Sequence, residues 1–323
     1  MSYADFVEWA LYDEADGFYS VHGQAGRRGD FLTSAEVGPL FGAVVARALD
    51  TWWKDLGSPD PYVVVDAGAG PGTLARAMVA AAPECVGALR LVLVERSARQ
   101  RERHPSFVTS QAELPAMAHV IVANELLDNI PFDLLVFDDG WRDAWVAQGN
   151  DGQLVEVLRP AVAVPTGAPV RPVLGARLPR QDRAVRWVDD AIGRLVPGGR
   201  LVVVDYSSTT AAMAQRPWRD WLRTYRGHER GVHPLRQPGT QDITVEVALD
   251  QLATPTSITT QAQWLALHGI AELVDEGKSV WADRAGIGDL AALKARSRVR
   301  EAEALCDPAG LGGFTIAEWN KAR

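Results

Sequence analysis

Residues 63–74 read VVVDAGAGPGTL, and how this stretch is understood decides the fold. Three valines lead into an acid, Asp66, and glycines then stand at 68, 70 and 72. Alternating glycines after a strand permit a tight turn and let a ligand lie against bare backbone. The LARAMVAAAP pattern that follows reads as a helix whose first N–H groups are available to a negative group. Pro71 suits the start of such a helix, where the missing N–H costs little. A turn with no ligand would explain the glycines equally well. A Walker phosphate loop is excluded because no Gly-Lys-Ser/Thr follows, and a dinucleotide loop would want glycine where Thr73 stands.

Moving outward, YVVVDAGAG, LRLVLVE and HVIVANE are apolar strands with a helix after the first, and LVVVDY repeats the strand pattern near residue 200. This βαβ rhythm predicts an α/β protein with a parallel sheet buried on both faces and flanking helices. Glu95 ends the second strand, which puts it beside the glycine loop at the carboxyl edge. There it can accept both hydroxyls of a ribose, although an NAD enzyme would use the same acid. Apolar spacing at Val37, Leu40, Phe41, Val44, Ala48 and Trp52 predicts a helix over 34–53, with Thr33 and Glu36 as a capping box. The preceding HGQAGRRGDF reads as a mobile loop. LLVFDDGWRDAWVAQGNDGQLVEV predicts an antiparallel hairpin or meander, and a helix is expected at about 181–195. Residues 163–180 and 207–240, rich in Pro, Arg and Thr, read as loops or insertions.

A chain of 323 residues with 47% hydrophobic and 23% charged residues is of ordinary globular composition. No apolar run approaches the ~20 residues of a membrane span, and the acidic N-terminus is unlike a signal peptide, so a cytoplasmic protein without membrane association is expected. Two cysteines far apart suggest neither a disulfide framework nor a zinc site, and the six histidines have no metal-ligand spacing. A net charge of −8 argues against a nucleic-acid partner and leaves room for a cationic substrate. The oligomeric state is not legible.

Four separated stretches, GFYSVHGQAGRRGDFLTSAEVGPLFG, DAGAGPGTL, ANELLDNIP and YRGHERGVHPLRQPGTQDIT, together resemble the MidA-type methyltransferases over about residues 3–270. The acidic-x-G-x-G-x-G pattern is that of S-adenosylmethionine-dependent methyltransferases. The resemblance implies a class I (Rossmann-like) methyltransferase fold, S-adenosyl-L-methionine as cofactor, and a protein arginine as acceptor, because the mitochondrial member is similar to a respiratory complex I assembly factor that dimethylates an arginine of a subunit. It also implies a lid and helical segment over 1–58, then a methyltransferase domain over 59–323 with insertions at about 132–180 and 207–242, the second binding substrate. Asp66-Ala67 stands where the family usually has Glu-x, and Ala35 where proline is usual after Thr-Ser.

The residues expected to hold the cofactor are Asp66, Gly68, Gly70, Gly72, Thr73, Leu74, Glu95 and Asn124, with Gly29, Asp30 and Thr33 closing over it. The last three are also explained by a capped helix entry. In VANELLDNIP, residues 122–131, a buried strand turns polar within three residues. In a methyltransferase sheet this strand end faces the transferable methyl, so Asn124 and Glu125 are beside the reaction and Asp128 close by. Glu125 is the first candidate to hold and polarise a guanidinium, and Asp128 the second. Asp128 is equally explained as a helix cap. His228, His233, Gln241 and Asp242 are further candidates for a substrate cleft. A small-molecule methyltransferase and a methyltransferase-fold assembly module without turnover remain alternatives.

Overall fold

The computed structural model describes residues 1–21, 33–227, 229–287 and 289–323. These divide into two compact units, each assembled from three stretches: 1–21, 125–193 and 205–254 in the first, and 33–124, 194–204 and 255–323 in the second. The division differs from the expected boundary at residue 58. The helix after Thr33 belongs with the sheet, while the N-terminal helix belongs with the inserted segments. That placement depends on packing partners far away in sequence.

The second unit carries the expected parallel sheet. Its strands β1 (Tyr62–Ala67), β2 (Leu89–Val94), β3 (Thr109–Gln111) and β4 (Ala118–Asn124) pair in parallel, and strand Leu195–Asp205 adds parallel to β4. Strands Thr315–Asn320 and Ser257–Thr260 extend the far side as an antiparallel pair. Near-continuous runs of Val, Leu, Ile and Ala in β1, β2 and β4 are buried, as a sheet covered on both faces requires. Helices Pro39–Asp55 and Thr73–Ala80 supply Leu40, Phe41, Val44, Leu49, Leu74 and Met78 to the core against these strands. At about 25 cal/mol per Å² of apolar surface removed from water, this core is the main source of stability in the unit.

The predicted helix over 34–53 is broken. A short helix, Ser34–Val37, precedes the long one, and Gly38 separates them in extended backbone. Glu301 explains the break: its carboxylate accepts the Leu40 N–H at 2.9 Å, capping the long helix from a distant element. A Cβ on Gly38 would lie 2.2 Å from the Glu301 Cδ, so a larger residue there would have to displace the capping carboxylate. The expected capping box at Thr33 and Glu36 does not form; Thr33 makes no side-chain cap bond.

The first unit contains the predicted meander as strands Asp133–Phe137, Trp141–Gln148 and Leu154–Pro160, joined by Arg177–Arg180 from a stretch expected to be loop. A second, three-stranded sheet is made by Leu222–Arg226, Glu229–Arg230 and Asp242–Val245. Its core gathers Tyr3, Phe6 and Leu11 of the N-terminal helix Tyr3–Tyr12 with Phe132, Trp221 and Ile243. The helix expected at about 181–195 runs over Asp182–Arg194. No helix among the described residues is long and apolar enough to cross a membrane.

Candidate active site

At the carboxyl end of β1 the backbone becomes left-handed at Gly68, Gly70 and Gly72, with φ of 72°, 52° and 82°. Gly72 is favoured twice over: its φ disfavours a side chain, and a Cβ would lie 2.8 Å from a Leu93 methyl, which would have to shift. A Cβ on Gly70 would meet no atom within 4 Å, so the loop faces open space there. Gly68 and Ala69 donate to the Val94 carbonyl at 2.9 and 3.1 Å, tying the loop to β2.

Glu95, immediately after β2, accepts the Gly70 N–H at 3.0 Å on one carboxylate oxygen and the Ser97 N–H at 2.8 Å on the other. Burial raises its pKa, while those two N–H groups act in the opposite sense. Asp66, inside β1, is 3% exposed, and its Oδ2 is buried without a hydrogen-bond partner. Burial, then the nearby Glu95 carboxylate, raises its pKa to about 7. Thr73, at the start of its helix, donates its hydroxyl to the Glu36 carboxylate at 2.6 Å. Glu36 thus serves the loop instead of a capping box, and Thr33 sits one turn before it, its carbonyl accepting the Glu36 N–H at 2.9 Å. Leu74 packs into the core.

The second stretch of the first unit begins at Glu125, the residue after β4, with a φ of 52° that is rare for a residue bearing a side chain. A single 3₁₀ turn, Leu127–Asn129, follows. It is held from strand Leu195–Asp205: the Asp205 carboxylate accepts the N–H of Leu127 at 3.0 Å and of Asp128 at 3.3 Å on Oδ2, and of Tyr206 at 3.0 Å on Oδ1. Asp128 lies inside that turn and is not its N-cap residue, which is Leu126. One Asp128 oxygen accepts the Tyr206 hydroxyl and, at 2.6 Å, the Thr244 hydroxyl; the other is buried and unpartnered. Asp128 and Asp205 are 2% and 1% exposed. Burial raises both pKa values, and at Asp205 the neighbouring Asp128 and Glu125 raise it further. Among the described residues no ion pair reaches either acid. Asn129 donates to Asp242 at 3.0 Å, and Tyr19 donates to both, at 3.0 Å to Asn129 and 3.1 Å to Asp242.

The predicted residues therefore fall into two groups. Asp66, Gly68, Gly70, Gly72, Thr73, Leu74 and Glu95 gather at one strand edge of the second unit, with Thr33 linked through Glu36 and Asn124 closing β4 in the same sheet. Glu125 and Asp128 lie in the first unit, in one acidic cluster with Asp205. Gly29, Asp30 and His228 lie outside the described residues. Gln241 is buried as a loop anchor, accepting the Val232 N–H at 3.0 Å and donating to the Arg236 carbonyl at 3.0 Å. His233 packs edge-on against Trp218. Sequence reasoning missed Asp205, Tyr206 and Thr244. The signal for the first two was present: LVVVDY ends an apolar strand in polar residues, just as VIVANE does.

Residues 44–268 match the family described as "Putative S-adenosyl-L-methionine-dependent methyltransferase". The chain is 24% identical over 288 residues to the protein arginine methyltransferase NDUFAF7 homolog of Drosophila melanogaster, covering 76% of this chain and 64% of the relative. It is 23% identical over 299 residues to the zebrafish (Danio rerio) protein arginine methyltransferase NDUFAF7, covering 78% and 67%. The chain thus spans about two-thirds of the length of these curated relatives. The crystal structure of a Burkholderia thailandensis protein bound to S-adenosyl-homocysteine superposes with a TM-score of 0.80 at 25% identity, covering 99% of this chain and 88% of that one. With the family model spanning well over half of the chain, and the glycine loop, Glu95 and Asn-Glu strand end all inside it, the protein belongs to the S-adenosylmethionine-dependent methyltransferase family, in its MidA-type branch.

Proposed function

We propose that the protein transfers a methyl group from S-adenosylmethionine to an arginine of a partner protein. The observation that carries the acceptor is the buried pair Asp128 and Asp205, two acids without an ion pair among the described residues, in one acidic cluster with the strained Glu125. Buried acids are costly unless a cation or hydrogen bonds compensate them. Hydrogen bonds already serve Asp205 and one Asp128 oxygen; a guanidinium would supply the missing cation and a donor for the unpartnered Asp128 oxygen. The names of the Drosophila and zebrafish relatives, protein arginine methyltransferases, support the same acceptor.

The glycine edge fits the cofactor. Open space over Gly70 admits a ligand to bare backbone, Glu95 offers a carboxylate suited to ribose hydroxyls, and the unpartnered Asp66 Oδ2 suits the cationic amino-acid end. S-adenosylmethionine, when bound, supplies a methyl group activated by its sulfonium. An arginine nitrogen is a poor nucleophile because its lone pairs are delocalised over a permanently charged fork. Glu125 would hold that fork and draw positive charge from the attacking nitrogen. Asp128, whose pKa burial raises, would take the proton that the nitrogen gives up on methylation. Tyr206 and Thr244 hold the Asp128 carboxylate in place for that role. Cytoplasmic residence belongs to the same proposal and rests on composition alone, whereas the relatives are named mitochondrial; cell fractionation checks it.

The test is mass spectrometry of proteins incubated with the enzyme and methyl-labelled cofactor. Methylated arginine that disappears with Glu125→Gln is the expected result. Label recovered only in a low-molecular-weight fraction would overturn the acceptor and favour a small-molecule substrate.

A further inference from the structure

We infer that His104 is a positioning residue for the glycine loop, a strut that fixes the Gly70 peptide against the sheet and so sets affinity for the nucleoside ligand. The inference rests on the cofactor reading above. Its geometry lies wholly within the second unit. His104 Nε2 is 2.9 Å from the Gly70 carbonyl oxygen, and Nδ1 is 2.8 Å from the Ser110 hydroxyl in β3. A carbonyl only accepts, so Nε2 carries the proton and donates it to Gly70. Nδ1 is then the acceptor, and Ser110 donates to it. Burial, with Arg76 and Arg101 nearby, lowers the imidazole pKa, which favours this neutral form.

The Gly70 peptide is consequently held at both ends. Its N–H goes to Glu95 at 3.0 Å and its carbonyl to His104. The next carbonyl, of Pro71, accepts from Arg76 at 2.6 Å. Gly70 gains from this support because its left-handed backbone carries no side chain and has open space around it, so no packing fixes it. Glu95 has a double duty, since the carboxylate that would meet the ribose also holds the loop. His104 has no such conflict. Through Ser110 it transmits the position of β3 to the loop, which preorganises the loop before the ligand arrives.

Calorimetric titration with S-adenosyl-homocysteine, together with hydrogen exchange of the unliganded protein, tests this on His104→Leu and His104→Gln. Leucine fills the space without a donor, while glutamine returns an N–H. We expect His104→Leu to weaken binding about three- to tenfold, the effect of one hydrogen bond, and to speed exchange in the 68–74 segment while β1, β2 and β4 stay protected. His104→Gln should restore binding to within about twofold and restore loop protection. Unchanged loop exchange in His104→Leu overturns the inference whatever the ligand result. So does equal binding by wild type and His104→Leu, or equal loss in both variants accompanied by a matching fall in Tm, which marks a merely structural histidine. Failure of wild type itself to bind, with the loop still loosened by His104→Leu, would refute the cofactor reading and leave the strut standing.

Discussion

The glycine loop and the acidic turn both leave a parallel strand through left-handed backbone, and they do so at different cost. After β1 the positive φ angles belong to Gly68, Gly70 and Gly72, where no side chain opposes them. After β4 the positive φ belongs to Glu125. A left-handed non-glycine residue of this kind costs roughly 1–3 kcal/mol, and it persists where the side chain is needed. In the proposed function, one edge discards side chains so that a ligand can reach backbone, and the other keeps a carboxylate at the cost of strain. Their charges are also compensated differently. Glu95 and Asp205 are satisfied by backbone N–H groups, whereas Asp128 takes two hydroxyls on one oxygen and, like Asp66, has a second oxygen without a partner.

The largest expected effect falls on the acidic turn. Asp128→Asn keeps the shape and removes the proton acceptor, so methyl transfer should drop by roughly 10²–10⁴-fold, while affinity for S-adenosyl-homocysteine stays within about twofold. Steady-state rates and titration of the same preparation check it. Retained turnover would remove Asp128 from the chemistry.

Next in size is the pH dependence of Asp66. Its folded pKa of about 7 lies above its ordinary value of 3.8, so folding favours the protonated acid. The cost is absent below the ordinary value, grows as pH rises, and is complete above about 7, so this residue makes stability fall with increasing pH. Asp66→Asn should therefore stabilise the protein by up to roughly 4 kcal/mol at pH 9 and by little at pH 4, read by denaturant unfolding at both values. An equal difference at the two pH values would mean that Asp66 is not held protonated.

A reciprocal pair of substitutions tests the contrast in backbone most sharply. Gly72→Ala should destabilise by about 1–3 kcal/mol, since it adds both a disfavoured φ and a contact with Leu93. Glu125→Gly should do the reverse, raising stability by up to about 1 kcal/mol while abolishing transfer. If Glu125→Gly destabilises, the side chain supports the fold and the strain has no functional meaning.

What was legible in the sequence follows the same contrast. The glycine loop is written in twelve consecutive residues, and its acid Glu95 is one strand away, so spacing alone located both. The acidic turn is completed by Asp205 and Thr244, 77 and 116 residues beyond Asp128. A local pattern cannot rank such partners. The helix break at Gly38 was hidden for the same reason, because the group that causes it, Glu301, is 261 residues from the N–H it caps. The second unit's sheet was readable from apolar runs buried on both faces, while strand Arg177–Arg180 is too short and too basic to announce itself.

The most direct test of the division of labour is a titration of S-adenosyl-homocysteine into Glu95→Ala and Glu125→Gln side by side with wild type. Glu95 meets the ribose in this account and also anchors Gly70, so its loss should weaken binding by about 10- to 150-fold, the equivalent of roughly 1.5–3 kcal/mol for a charged hydrogen-bonding group. Glu125→Gln should bind within about twofold of wild type, because its carboxylate serves the acceptor. Undiminished binding by Glu95→Ala, or binding lost in Glu125→Gln, would contradict the assignment of cofactor to the glycine edge and acceptor to the acidic turn.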